Sequence, residues 1–330
     1  MAPSHQHRIL SGMRPTGKLH LGHLVGALEN WVTLQNEVES FFLIADYHAL
    51  TTNPDSSRLS ENSLDMLIDW LSVGIDPRRS PVFRQSMIKE HTELHLLFSM
   101  LITTARLERN PAVKEQVRDL NIENMSYGHL GYPVLQAADI LLYRGNLVPV
   151  GEDQVPHVEI SREIARRFNA QYGVVFPEPE AKLTKFARLP GLDGNDKKMS
   201  KSAGNTILLS DGPDEIQKKM RTAVTDPLKI RRNDPGRPEV CLVYTYHQRF
   251  NAGAAPQIEA DCRTGTLGCV DCKGRAAAAI AEALAPVRER RAHFESHPAE
   301  VREILADGEQ RARAVAEGTM SDVHRAMTIG

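Results

Sequence analysis

Two histidines and two lysines stand where a phosphate chain could be held. His20 and His23 fall in Arg14-Pro15-Thr16-Gly17-Lys18-Leu19-His20-Leu21-Gly22-His23. Pro15 and Gly17 read as a turn between a short apolar segment, 9–12, and a helix with apolar positions at Leu24, Leu28, Trp31 and Val32. A helix start offers free N–H groups and a positive dipole end, which together favour an anion. Each histidine can donate to a phosphate oxygen, and each could be charged at physiological pH in such a field. Gly22 lacks a Cβ, so a ring such as adenine could approach the backbone there. Far downstream, Lys198-Met199-Ser200-Lys201-Ser202 follows a glycine-punctuated polar stretch, 191–196, that reads as a mobile loop. Two lysines on such a loop can fold over a triphosphate and follow its charge.

A second group of residues suits a metal. Cys241, Cys262, Cys269 and Cys272 are the only cysteines in 330 residues. Four thiolates fit zinc or an iron–sulfur cluster, and scattered free thiols are the plain alternative. Only one Cys-x-x-Cys pair is present, where zinc ribbons usually show two. Gly265 and Gly268 would let the backbone wrap a centre closely.

These residues need elements to place them. Apolar runs at 40–46, 81–85 and 147–150 read as buried strands, alternating with helices over 56–74, 93–107, 132–143 and from about 155 to Phe168. Residues 110–127, polar and charged, read as an inserted loop or a short helical excursion. Alternation of this kind predicts an α/β fold with a doubly wound parallel sheet, whose ligands sit at the carboxyl ends of strands. Gly12, Asp46, Gln85 and Gly151 to Asp153 fall at such ends. After residue 212 only helical segments appear: 214–223, 242–250, 274–294 and 298–327. The expected division is a catalytic domain, 1–205, and an all-helical domain, 206–330.

Composition sets bounds. The net charge is −2, so any nucleic acid must be met along one face. No apolar stretch is long enough to span a bilayer, and the N-terminus carries no signal-peptide core. The expected location is cytoplasmic, where disulfides are disfavoured.

The His-x-Gly-His box and the Lys-Met-Ser-Lys-Ser run resemble, in order, the two ATP motifs of class I aminoacyl-tRNA synthetases. Three further stretches resemble the bacterial tryptophanyl-tRNA synthetases: Tyr132 to Tyr143, Val148-Pro149-Val150-Gly151-Glu152-Asp153-Gln154, and the helix from Glu159 to Asn169. The tyrosine-specific relatives differ in these three. The resemblance implies a Rossmann-like catalytic domain, a helical anticodon-binding domain, a homodimer, and the partners tryptophan, ATP with Mg²⁺, and tRNA(Trp). It implies catalysis by His20, His23, Lys198 and Lys201. It implies ATP contacts at Arg14, Gly22, Lys114, Gly151, Asp153, Gln154, Met199, Ser200 and Ser202. Asp153 suits a ribose hydroxyl, and Gln154 the ribose or the α-carboxylate end.

Tryptophan presents one polar side-chain atom, the indole N–H, so its pocket needs apolar walls and one acceptor. Asp139, amid Ala137, Ala138, Ile140 and Leu141, suits that acceptor. Gln136 and Tyr132 suit the substrate's amino group, with His48 and Gln85 as further candidates. The cysteine pattern resembles that of the subset of these synthetases with a [4Fe–4S] cluster; structural Zn²⁺ is the alternative. Three other readings remain: an adenylyltransferase sharing the histidine box, a tyrosine-specific synthetase, and a non-catalytic paralogue.

Overall fold

The computed structural model describes residues 7–151, 155–183, 189–201 and 203–330. Five parallel strands form its centre: β1 (Arg8–Met13), β2 (Glu39–Ile44), β3 (Val82–Arg84), β4 (Leu147–Val150) and β5 (Glu180–Leu183). Their order is β3-β2-β1-β4-β5. Helices cover both faces, so the doubly wound, Rossmann-like expectation holds. β2 is buried along almost its whole length, which is why it reads as an unbroken apolar run. One core gathers Trp31, Phe42, Ile44 and Trp70; a second gathers Phe83, Phe98, Tyr143 and Phe168 on the other face. The winding reverses between β1 and β4, and the carboxyl ends of these two strands open a crevice there.

Several elements differ from the sequence expectation. β5, a four-residue edge strand, is too short and polar to stand out. The helix expected over 93–107 is two, Glu90–Ser99 and Thr104–Glu108, because the Thr103 side chain caps the second by accepting from the Arg106 N–H. The 110–127 stretch, by contrast, takes the helical one of its two expected forms, with a helix Pro111–Asp119 capped by Asn110. The Tyr127–Leu142 helix starts earlier than expected, at a Ser126 cap, and carries Pro133 within it.

The C-terminal region is helical as expected: Pro213–Thr222, Leu242–Phe250, Ala255–Thr264, Cys269–Ala283, Ala285–Ser296 and Pro298–Met327. The single helix expected over 274–294 breaks near Leu284, with a proline opening the next one. The terminal helix runs back to the sheet. Its Ala312, Ala316, Met320 and Val323 share the core of Phe83 and Tyr143. Gly308 permits this, since a Cβ there would lie 2.0 Å from the Val82 carbonyl oxygen. Arg84 Nε donates to Glu309 Oε1 at 2.6 Å beside it, so the β3 edge is covered. Among the described residues no helix is long and apolar enough to cross a membrane.

Candidate active site

The crevice holds a cavity of about 500 Å³. Its walls include β1 residues Leu10 to Met13, Arg14, His48, Tyr132, Gln136, Asp139, Val148 to Gly151 and Lys198. Strand ends and one loop lysine therefore meet around one space.

At the phosphate-facing end, Leu19 to Leu21 runs extended and pairs with the chain after the lysine loop: Leu209 N–H donates to Leu19 O at 3.0 Å and Leu21 N–H to Ile207 O at 2.9 Å. His20 then caps the helix. Its Nδ1 accepts from Gly22 N–H at 3.1 Å, and His23 Nδ1 accepts from His20 N–H at 3.2 Å. Because both Nδ1 atoms accept, each proton sits on Nε2. Burial, with Lys201 and Lys198 nearby, lowers His20 to about 4. Burial, then the charges of His20, Lys201 and Lys198, lowers His23 to about 3. The histidines, which the sequence left free to be charged, are therefore neutral Nε2–H donors at pH 7. Gly22 is also needed by the protein itself. A Cβ there would lie 3.0 Å from the His20 ring and 3.4 Å from Met199 Cβ, so the glycine makes room for protein.

The lysine segment is tied down where the sequence suggested mobility. Asn205, buried, is its clasp: its Oδ1 accepts from Ser200 N–H at 2.8 Å, and its Nδ2 donates to Lys198 O at 3.1 Å and Asp193 Oδ1 at 2.6 Å. Gly191 N–H donates to Lys197 O at 2.9 Å. Met199 is buried, and Lys201 Nζ donates to Thr16 O at 2.6 Å, so the loop reaches the first motif's turn.

Asp139 lies at the other end, 2 % exposed. Its Oδ1 accepts from Gln85 Nε2 at 2.7 Å and His91 Nδ1 at 2.7 Å; its Oδ2 accepts from His48 Nε2 at 2.8 Å. His91 Nε2 meets the Tyr143 hydroxyl at 2.9 Å. Burial alone would raise this carboxyl, but the hydrogen bonds and charges of His48 and His91 outweigh it and hold it well below the usual carboxylate range. A carboxylate oxygen accepts about two hydrogen bonds, so Oδ1 is saturated and Oδ2 has one site left. That remaining acceptor is what an indole N–H needs.

The other expected residues fall as follows. Tyr132 and Gln136 line the cavity, and the Tyr132 hydroxyl meets His157 Nε2 at 3.1 Å. Gln85 does not line it; fully buried, it supports Asp139 from behind. Arg14 lines the rim and donates to Thr52 Oγ1 at 3.2 Å. Lys114 is exposed on the Pro111–Asp119 helix, whose Gln116 faces the cavity instead. Asp153, Gln154 and Ser202 lie outside the described residues. Sequence reasoning missed His91, Gln116, His157 and Asn205; none belongs to a motif with a recognisable spacing.

The cysteines gather in the helical region. Cys241 precedes the Leu242–Phe250 helix, Cys262 lies on Ala255–Thr264, and Cys269 and Cys272 open Cys269–Ala283. The chain around Gly265 and Gly268, expected to wrap a centre, is a short turn between two helices. Cys241, Cys262, Cys269 and Cys272 line one small cavity with Thr225, Asp226, Lys229 and Leu267. Burial and the neighbouring thiols push Cys272 up to about 12 and Cys262 upward. Among the described residues, the only three-ligand group with donor atoms within 4.8 Å of one another is His293, His297 and Glu300, so no three of these sulfurs are that close.

The chain is similar to known proteins along almost its whole length. Residues 2–285 match the family described as tRNA synthetases class I (W and Y). The tryptophan–tRNA ligase of Thermotoga maritima is 51% identical, covering 98% of this chain and 99% of that one. That of Aquifex aeolicus is 43% identical, with 98% and 100% coverage. The crystal structure of Campylobacter jejuni tryptophanyl-tRNA synthetase complexed with ADP and tryptophan superposes with a TM-score of 0.89 at 34% identity, covering 98% of this chain and 100% of that one. The chain belongs to the class I tRNA synthetases of the tryptophan and tyrosine family.

Proposed function

We propose that this protein is a tryptophan–tRNA ligase. The observation that carries the tryptophan assignment is Asp139: a buried, ionised carboxylate, fixed by Gln85, His91 and His48, with one acceptor position open to the cavity. Tyrosine, with a hydroxyl that can both donate and accept, does not require so isolated an acceptor.

The reaction has two steps. A tryptophan carboxylate oxygen bonds the α-phosphorus of ATP, the bond to the bridging oxygen breaks, and pyrophosphate leaves. The 2′-hydroxyl of the terminal tRNA adenosine then attacks the acyl carbon and releases AMP. No protein nucleophile is needed; catalysis is positioning and stabilisation of phosphate charge. In this reading His20 and His23 donate Nε2–H from the helix start. Lys198 and Lys201 bring positive charge from the loop, and Mg²⁺ travels with the triphosphate. Gly22, Met199 and Ser200 shape the ATP site, with Arg14 at its rim. Asp153, Gln154, Ser202 and Lys114 keep their proposed ATP roles by resemblance, and Gln136 and Tyr132 hold the substrate's amino group.

The two-part organisation, 1–205 catalytic and 206–330 anticodon-binding, belongs to this reading, as do a homodimer and a cytoplasmic location. The cysteine site is read as holding a structural [4Fe–4S] cluster. The support for this reading is that Cys241, Cys262, Cys269 and Cys272 line one small cavity, and that four thiolates suit such a cluster, with structural Zn²⁺ as the alternative. When bound, the cluster supplies a crosslink between three helices.

Charging of tRNA(Trp) with tryptophan, but not tyrosine, tests the activity; absence of charging with active tRNA contradicts it. Anaerobically purified protein should be brown with roughly four irons per chain. Colourless protein with one zinc per chain contradicts the cluster and keeps the metal site.

A further inference from the structure

We propose that Arg291, on the Ala285–Ser296 helix, is a positioning residue for adenylate formation: through Asp69 it sets where the Leu19 backbone holds His20. The inference rests on the synthetase reading above.

Asp69 lies on the Leu59–Val73 helix and is fully buried. Its Oδ2 accepts from Leu19 N–H at 2.9 Å, one residue before His20. Its Oδ1 accepts from Arg291 Nη1. Arg291 is itself 3 % exposed; its Nη2 reaches Asp65, and its Nε donates to Glu295 Oε1 at 2.9 Å. Arg290 Nε donates to the Ser72 carbonyl, so two consecutive arginines dock this helix on the Leu59–Val73 helix.

The segment Leu19–Leu21 is thus held from two sides. One side is the backbone pairing to Ile207 and Leu209, just past the lysine loop. The other is Asp69, the side chain that accepts the Leu19 N–H. Burial pushes the Asp69 carboxyl up to about 6 despite Arg291 and the Leu19 N–H pulling it down, so it depends on its partners to stay ionised. A buried carboxylate stripped of its cation must take up a proton, move or admit water. Each response loosens the Leu19 N–H and shifts His20, and with it the Nε2–H donor. Catalytic geometry tolerates little such movement, and tryptophan, bound at the far end of the cavity, should not sense it.

The test is tryptophan-dependent pyrophosphate exchange in R291M, R291K and D69N/R291M, with rates expressed per active site counted from the adenylate burst. R291M should lower kcat about 10–100-fold while KM for tryptophan stays within about twofold of wild type. R291K keeps the charge but cannot bridge Asp65, Asp69 and Glu295 together, so it should fold and lose kcat to a smaller degree. D69N/R291M should recover most of the lost turnover, because the asparagine carbonyl can take the Leu19 N–H with no buried charge left at position 69, while Asp65 and Glu295 reach solvent. Wild-type kcat per active site in R291K or R291M overturns the proposal. So does KM for tryptophan rising in step with the loss of kcat, or a double variant no faster than R291M. Absence of tryptophan-dependent exchange in wild-type protein would instead refute the synthetase reading.

Discussion

Replacing Asp139 by asparagine should remove tryptophan recognition while sparing ATP. The neighbours dictate how the new side chain sits. Gln85 Nε2 and His91 Nδ1 both donate into Oδ1, at 2.7 Å each, so the asparagine oxygen must take that position. Its NH₂ then occupies the place of Oδ2, facing His48 and the cavity. An incoming indole N–H meets a donor. The loss combines a charge-assisted hydrogen bond, about 1.5–3 kcal/mol, with an unsatisfied buried donor, about 1–3 kcal/mol. Together these amount to about 2.5–6 kcal/mol, or roughly 10²–10⁴-fold in kcat/KM for tryptophan. Alanine is the poorer probe, because it would leave Gln85, His91 and His48 donors unpaired and destabilise the fold. Pyrophosphate exchange at varied tryptophan and at varied ATP separates the effects. KM for ATP should stay within about twofold, as expected for a site that touches only the other substrate. A D139N enzyme within tenfold of wild-type kcat/KM for tryptophan would refute the reasoning.

Acid should destabilise the protein through its histidine box. His20 titrates at about 4 and His23 at about 3 when folded, against about 6.5 unfolded. Between these limits the unfolded chain binds more protons, so stability falls as pH drops below 6.5, by up to about 1.4 kcal/mol per pH unit for each histidine, and is unaffected by them above it. Urea midpoints from pH 4.5 to 8 should show a shallower acid slope in H20N than in wild type; identical slopes would contradict the neutral assignment. Asn205→Ala removes three hydrogen bonds from the lysine segment. It should lower kcat for adenylate formation by about tenfold or more with KM for tryptophan unchanged, since a loop placed for the transition state affects kcat and kcat/KM together. Unchanged kcat would mean that the clasp is incidental.

The sheet was legible because its central strands are buried on both faces and read as apolar runs; β5, short and at the edge, carries no such signal. The two phosphate motifs were legible because their residue types and spacing are local. Asp139 stood out as a carboxylate in an apolar stretch. Its supports did not: Gln85 lies 54 residues away and His91 48, and only the fold brings them together. The charge state of His20 and His23 was not legible: the helix start suggests an anion site, while the protonation state depends on burial and on lysines from a distant loop. That Gly22 also makes room for the His20 ring was not legible, since only the fold sets that distance. The cysteine group was visible as a count. That two helices carry three of its members was not, since Cys262 and Cys269 straddle a glycine-rich turn that resembles a longer loop.

The central claim is that this cavity selects tryptophan through the open acceptor of Asp139. The most direct measurement is the ratio of kcat/KM for tryptophan to that for tyrosine in pyrophosphate exchange by the wild-type protein. The account predicts a ratio of at least about 10³, as expected when a buried polar group is left unpaired by the wrong substrate. Tyrosine-dependent exchange equal to or faster than that with tryptophan would contradict it.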